Sequence, residues 1–177
     1  MLTGVILAGG PNDHVYGRHR SLLPQHSEPL IQFQIREMRK IVDEIIVVTN
    51  TPRELLPYVP ADTRIITDFF QNKGPLGGLH AGLSLSRMEV AWVIESDNLM
   101  PSTCVASRLI KNLLKLEVDA ALPIINGALE AFEGVYRTSV KSKLTEFLQQ
   151  EEASVSSFLE NITTSSVILE SDRLFLK

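Results

Sequence analysis

Short apolar segments alternate with amphipathic segments along this chain, and this alternation limits the fold more than any other feature of the sequence. Continuous apolar runs of this length are typical of strands that are covered on both faces. The predicted strands are 5–7, 44–48, 64–67, 90–94, 119–124, 129–136 and 166–169. Helix patterns stand between most of them, including an apolar stripe at Ile31, Ile35, Met38 and Val42. The alternation predicts an α/β fold with a mainly parallel sheet and helices on both faces.

Length and composition narrow the function classes. We expect residues 1–177 to form one domain, and the formal net charge of −4 gives no electrostatic reason to expect nucleic-acid or membrane binding. One cysteine, Cys104, excludes an intrachain disulfide, and its helical pattern predicts a small core or boundary residue. A strand pattern begins almost directly after Met1, and no apolar run approaches the roughly 20 residues of a membrane span. By elimination we expect a cytoplasmic protein.

The segment Val5–Pro24 is the first candidate site. Its strand pattern ends in Ala8-Gly9-Gly10, which removes nearly all side-chain bulk where a parallel strand would end, and Arg20 adds positive charge to the same loop. Ligands of open α/β sheets bind outside the carboxyl ends of the strands, and glycine lets another group approach the backbone. Two interpretations fit these residues about equally well. One is a nucleotide or phosphate site, and the other is a tight turn with an exposed basic patch.

Polar residues follow two further strands. Asn50 comes after the second strand, where it fits either a ligand contact or the commoner role of capping the next helix. Residues 69–78 read as a loop that carries Lys73 and several glycines before a small-residue helix. A helix N-terminus preceded by glycines is a favourable place for an anion to bind. The alternative is that the small residues serve helix–sheet packing. Lys73 favours anion binding, because it adds a positive charge.

Asp97 follows the most continuously apolar strand, 90–94, which we expect to be central. A carboxylate there needs a partner, because burying an unpaired charge is costly. Mg²⁺ is a natural partner, since it is bound through one or two carboxylates together with substrate phosphates. The alternative is that Asp97 caps the helix signalled by Pro101-Ser102. The position at the mouth of the sheet favours the metal.

Several segments jointly resemble the nucleotidyltransferases of the molybdenum cofactor guanylyltransferase type. The similar segments follow in the family's order over nearly the whole chain: Leu7-Ala8-Gly9-Gly10, Gly17, Arg20, Leu22-Leu23-Pro24, Pro29-Leu30, Val47–Asn50, Asp68, Gly74–Leu79, Asp97 before Pro101, Asn126-Gly127, Gly134–Tyr136 and Ser157–Leu159.

This resemblance implies a three-layer, doubly wound, Rossmann-like nucleotidyltransferase fold. It also implies transfer of GMP from Mg²⁺-GTP onto molybdopterin with release of pyrophosphate, and proteins that handle the molybdenum cofactor as possible partners. In such enzymes the glycine turn contacts guanine, the basic residues hold the triphosphate and an aspartate holds Mg²⁺. The resemblance places Arg20 and Asp97 in the catalytic set, with Asp97 as the metal ligand. Its nucleotide-binding set is Leu7, Ala8, Gly9, Gly10, Arg20, Asn50, Asp68 and Gly78.

The chain also departs from the family's pattern. The family's loop arginine has no clear counterpart, its lysine is replaced by Arg20, and His19 stands where an acidic residue is usual. An asparagine-rich segment typical of the family's C-terminal part has no match before Lys177. A relative that binds nucleotide or a partner without turnover, and a transferase with another acceptor, are therefore the alternatives. The histidines have no metal-ligand spacing and read as loop or surface residues.

Overall fold

The computed structural model describes residues 1–9, 14–15, 17–70, 72–150 and 154–169. The strands are β1 (Leu2–Leu7), β2 (His14–Val15), β3 (Arg18–His19), β4 (Pro24–Gln25), β5 (Glu28–Pro29), β6 (Glu44–Val48), β7 (Arg64–Ile66), β8 (Val90–Glu95), β9 (Ala120–Ile125), β10 (Ala128–Leu129), β11 (Val135–Arg137) and β12 (Thr164–Leu169). The helices are α1 (Leu30–Met38), α2 (Pro52–Leu55), α3 (Gly74–Leu85), α4 (Thr103–Leu116), α5 (Val140–Leu148) and α6 (Val155–Glu160), with a 3₁₀ turn at Arg20–Leu22.

An eight-stranded sheet forms the middle layer. Its order is β10-β9-β11-β8-β1-β6-β7, and β12 pairs with β9. The β7, β6, β1 and β8 strands run parallel, and β12 is parallel to β9, whereas β11 lies antiparallel between β8 and β9. The prediction of a mainly parallel sheet with 90–94 at its centre is therefore confirmed.

Two apolar clusters cover the two faces of this sheet. Residues of α3, α5 and α6 pack on one face, and residues of α1, α2 and α4 pack on the other. Every residue of β1 is buried, as the continuous apolar run predicts for a strand covered on both sides. The three-layer, doubly wound fold class is confirmed.

Close packing decides where α3 begins, and here the sequence prediction is wrong. Residues 74–78 were expected to be loop, but the helix begins at Gly74, with Pro75 in its first turn. A Cβ on Gly77 would lie 2.8 Å from the carbonyl oxygen of Phe70, and one on Gly82 would lie 2.6 Å from Cγ1 of Val5. The small residues therefore let this helix lie directly against the sheet.

Three further predictions need correction. The expected strand 129–136 is two short strands, β10 and β11, separated by a turn in which Glu133 N–H donates to the Glu130 carbonyl at 3.4 Å. The α1 helix ends at Met38, so Val42 lies beyond it and the apolar stripe overruns the helix. Cys104 is exposed on α4 instead of lying in or at the core. Among the residues that the structure describes, no helix is long and apolar enough to cross a membrane.

Candidate functional site

The carboxyl ends of β1, β6, β7 and β8 meet at one edge of the sheet, which we call the carboxyl edge. Backbone hydrogen bonds continue past the strand ends: Ala8 N–H donates to the Val48 carbonyl at 2.7 Å, and Ser96 N–H donates to the Leu7 carbonyl at 2.9 Å. These bonds hold the ends of β1, β6 and β8 side by side, and Thr49 N–H donates to the Ile66 carbonyl of β7 at 2.9 Å. This places Gly9, Asn50, Asp68 and Asp97 at the same edge.

Gly9, Asn50 and Asp68 lie together there. The Asn50 side-chain amide donates to the Gly9 carbonyl at 3.4 Å and to Oδ2 of Asp68 at 3.3 Å. A Cβ on Gly9 would lie 3.3 Å from Cα of Thr49, so a side chain at this position would crowd the backbone of the loop after β6. The N-cap residue of α2 is Thr51, and no side chain caps that helix, so Asn50 does not have the capping role.

Three further residues of the predicted nucleotide set, Leu7, Ala8 and Gly78, lie in close-packed surroundings. Leu7 and Ala8 are buried beneath the edge, and a Cβ on Gly78 would lie 3.3 Å from Cδ2 of Leu7. Gly78 thus sets the distance between α3 and β1. Lys73, expected beside an anion, donates instead to the Gln150 carbonyl at 2.6 Å. Gly10 lies outside the described residues.

Arg20 and Asp97 form an ion pair across the carboxyl edge. Nη1 of Arg20 lies 2.8 Å from Oδ2 of Asp97, and the two side chains are 32% and 53% exposed. The pair brings together the two residues that the resemblance placed in the catalytic set. Asp97 does not cap α4, because Ser102 occupies that position and its hydroxyl accepts from Val105 N–H at 3.3 Å.

Arg20 begins the 3₁₀ turn that follows a short hairpin of β2 and β3, in which Gly17 has a φ of +76°. His19 is buried beside it, and its Nδ1 accepts from Ser21 N–H at 3.2 Å to cap the 3₁₀ turn. His80 is also buried and bonds to the Thr145 hydroxyl at 2.8 Å. The prediction that the histidines are loop or surface residues is therefore wrong for these two.

Three carboxyl groups gather at the end of β8. Oxygens of Glu95, Asp97 and Glu133 lie within 4.8 Å of one another. Burial, followed by the nearby Glu95 and Asp97 charges, raises the pKa of Glu133 to about 8, against hydrogen bonds from Glu95 N–H and the Asn98 side chain that lower it. The cluster is a set of hard oxygen donors of the kind that a divalent cation uses.

Sequence reasoning missed Glu133. It lies 38 residues beyond Glu95 and belongs to no motif that we recognised, yet β11 runs antiparallel to β8 and so begins at the carboxyl edge. Glu133 could have been found only by predicting that β11 pairs with β8 and runs antiparallel to it.

Solved structures of other proteins share this architecture. Molybdopterin-guanine dinucleotide biosynthesis protein A from Archaeoglobus fulgidus superposes with a TM-score of 0.78 at 19% identity, covering 99% of this chain and 87% of that one. The protein therefore has the Rossmann-like α/β fold of nucleotidyltransferases. A family model described as the MobA-like NTP transferase domain matches residues 4–166. The chain belongs to this family and is a nucleotidyltransferase.

Two curated relatives agree with this assignment. A "Probable molybdenum cofactor guanylyltransferase" of Peptoclostridium acidaminophilum is 29% identical over 174 residues, which are 93% of this chain and 75% of that protein. The molybdenum cofactor guanylyltransferase of Yersinia pestis (strain Pestoides F) is 29% identical over 170 residues, covering 94% of this chain and 84% of the relative.

Proposed function

We propose that this protein transfers GMP from GTP onto molybdopterin and releases pyrophosphate. The names of the relatives supply the donor and the acceptor class, and the family supplies the reaction type. An oxygen of the molybdopterin phosphate attacks the α-phosphorus of GTP, and the bond from that phosphorus to the oxygen bridging the β-phosphate breaks. The leaving group is pyrophosphate. Such transfers depend on positioning and on neutralising negative charge, and they need no protein nucleophile.

We propose that the guanine nucleotide binds at the turn after β1 and that Leu7, Ala8, Gly9 and Gly10 belong to its binding set. Support comes from the absence of a side chain at Gly9, which is partly exposed at the carboxyl edge, and from the polar pair Asn50 and Asp68 beside it. Amide and carboxylate groups there are suited to the donor and acceptor edges of a base or ribose. Gly78 contributes indirectly, by holding α3 close beneath the turn.

Arg20 and Asp97 are proposed to bind the triphosphate and Mg²⁺, respectively. The residues present fit the ion: Asp97 is half exposed, and a carboxyl oxygen of Glu95 lies within 4.8 Å of it. When bound, Mg²⁺ would neutralise phosphate charge and polarise the reacting phosphoryl group. Arg20 and Asp97 pair with each other at 2.8 Å, so the proposed phosphate-binding and metal-binding groups lie side by side.

The observation that carries the proposal is this opposed charge pair at the carboxyl edge of a MobA-like chain. The test is pyrophosphate release with GTP, molybdopterin and Mg²⁺, compared with reactions that lack the acceptor or contain CTP or ATP. Release that requires both GTP and acceptor supports the proposal. GTP binding without release would instead indicate a nucleotide-binding relative without turnover, and release with CTP would indicate another transfer reaction.

Three wider expectations accompany this function. Residues 1–177 are proposed to form a single domain, which the match to residues 4–166 supports. The reaction is proposed to take place in the cytoplasm, with the product passed to proteins that handle the molybdenum cofactor. Limited proteolysis, cell fractionation and affinity capture would test these three points.

A further inference from the structure

The turn that carries Asp97 is attached to two different elements. It is closed by Asn98 N–H, which donates to the Glu95 carbonyl at 3.1 Å. Asp97 is one of the two central residues of this turn, and its side chain pairs with Arg20. The position of the Asp97 carboxylate therefore depends on what holds Glu95 and Asn98.

Glu133 holds the turn from the side of β11. Its Oε1 accepts from Glu95 N–H at 3.0 Å, and its Oε2 accepts from the Asn98 side-chain amide. The other atom of that amide group, Oδ1 of Asn98, accepts from Met100 N–H at 2.9 Å, which fixes the direction in which the amide faces. One carboxyl group thus spans both ends of the turn.

Gln34 holds the same two residues from α1. Its side chain is fully buried, and its Nε2 donates to the Glu95 carbonyl at 3.1 Å and to the Asn98 carbonyl at 2.8 Å. Glu95 and Asn98 are therefore fixed from both sides, whereas Asp97 between them is 53% exposed. The Asp97 carboxylate is therefore accessible, while the backbone on both sides of it is held in place.

We propose that Glu133 is a positioning residue for Asp97, acting through Asn98 and the backbone of Glu95. This inference rests on the proposed function, because it gives Asp97 the metal-binding role. Groups that orient a metal ligand affect metal affinity or activity about 10- to 100-fold when removed, and small displacements of a reacting group cost a similar factor.

A pair of substitutions tests this role. In Glu133→Gln, the new side-chain amide has one oxygen, so it can accept from either Glu95 N–H or the Asn98 amide but not from both. Its NH₂ group then faces the other N–H donor. Adding Asn98→Asp restores the missing bond with donor and acceptor exchanged, while the number of carboxyl groups at the site stays the same. Recovery of the amide exchange rates in the metal-free double variant reports the restored hydrogen bond independently of metal binding. Glu130→Gln is the matched control, because the Glu130 side chain makes no hydrogen bond or ion pair with any described residue.

The measurements are kcat, KM for GTP, Mn²⁺ affinity by electron paramagnetic resonance, and hydrogen exchange of amides 95–100. We expect Glu133→Gln to lower kcat and Mn²⁺ affinity about 10-fold or more and to speed exchange, with Mg²⁺-free GTP affinity unchanged. The double variant should recover most of each loss. The positioning role would be overturned if Glu133→Gln left kcat, Mn²⁺ affinity and exchange unchanged. It would also be overturned if adding Asn98→Asp recovered none of the loss.

These readouts separate the two proposals. If the wild-type protein releases no pyrophosphate, the proposed function fails, but exchange and Mn²⁺ affinity still test the role of Glu133. If the wild type is active and the exchange rates do not change in Glu133→Gln, the positioning role fails while the proposed function stands.

Discussion

Replacing Asp97 with asparagine should separate activity from stability. The ion pair with Arg20 joins side chains that are 32% and 53% exposed, and such a pair contributes only about 0.2–1 kcal/mol to the free energy of unfolding. Asparagine also removes one of the negative charges beside Glu95 and Glu133, which partly offsets that loss. We therefore expect the free energy of unfolding to change by less than about 1 kcal/mol.

The effect on catalysis should be much larger. Asp97→Asn removes the only carboxylate of the cluster that is largely exposed, among the residues that the structure describes. Loss of a group that stabilises charge in the transition state costs about 100- to 1,000-fold in rate, or roughly 3–4 kcal/mol. The assay is Mg²⁺-dependent pyrophosphate release, with kcat/KM for GTP measured beside a urea unfolding curve.

Asp62→Asn is the matched control. Asp62 also pairs with an arginine, Arg39, and is more exposed at 75%, but it precedes the amino end of β7, at the opposite edge of the sheet. We expect this variant to keep kcat/KM within about two-fold, since exposed ion pairs have little effect. If Asp97→Asn keeps its activity, or loses it only in proportion to unfolding, the role given to Asp97 is wrong.

Three further predictions follow from the packing and the electrostatics. Gly82→Ala should lower the free energy of unfolding by about 1–3 kcal/mol in urea unfolding, because its Cβ would meet Val5 Cγ1 at 2.6 Å; an unchanged midpoint would contradict this contact. Since the pKa of Glu133 is raised to about 8, the folded protein keeps a proton that the unfolded chain releases, so stability should fall as the pH rises from about 5 to 8, by at most ~1.4 kcal/mol per pH unit. Glu133→Gln should flatten this profile in unfolding curves recorded across that range, and an equally steep profile would refute the assignment. Gly9→Val should weaken GTP binding in calorimetry at least 10-fold, because a side chain there would meet the loop of Asn50; unchanged affinity would exclude the proposed nucleotide position.

The sequence predicted the strands well because buried parallel strands have a strong local signal. The apolar runs 44–48 and 90–94 appear as β6 and β8 with almost the expected bounds. The start of α3 was missed because Gly74 and its neighbouring glycines are poor helix formers, and only their contacts with Phe70 and Val5 show why they are there. Tertiary packing therefore makes residues 74–78 helical although their local helix propensity is low.

The candidate site was predictable where it follows a strand. Gly9, Asn50, Asp68 and Asp97 each come shortly after a parallel strand, so the fold class alone brings them to one edge. Glu133 and Gln34 could not be found in this way, because their partners lie 35 to 64 residues away in the chain. Their roles depend on the antiparallel direction of β11 and on the face that α1 presents to the sheet.

The most direct test of the central claim is the fate of the α-phosphate of GTP. The protein should be incubated with [α-³²P]GTP, Mg²⁺ and molybdopterin, and the labelled products should be separated and identified by mass. We expect the label to move into a molybdopterin–guanine dinucleotide while unlabelled pyrophosphate is released, and we expect Asp97→Asn to form this product at least about 100-fold more slowly. Label that stays in GTP with the wild-type protein, or that moves equally well in Asp97→Asn, would contradict it.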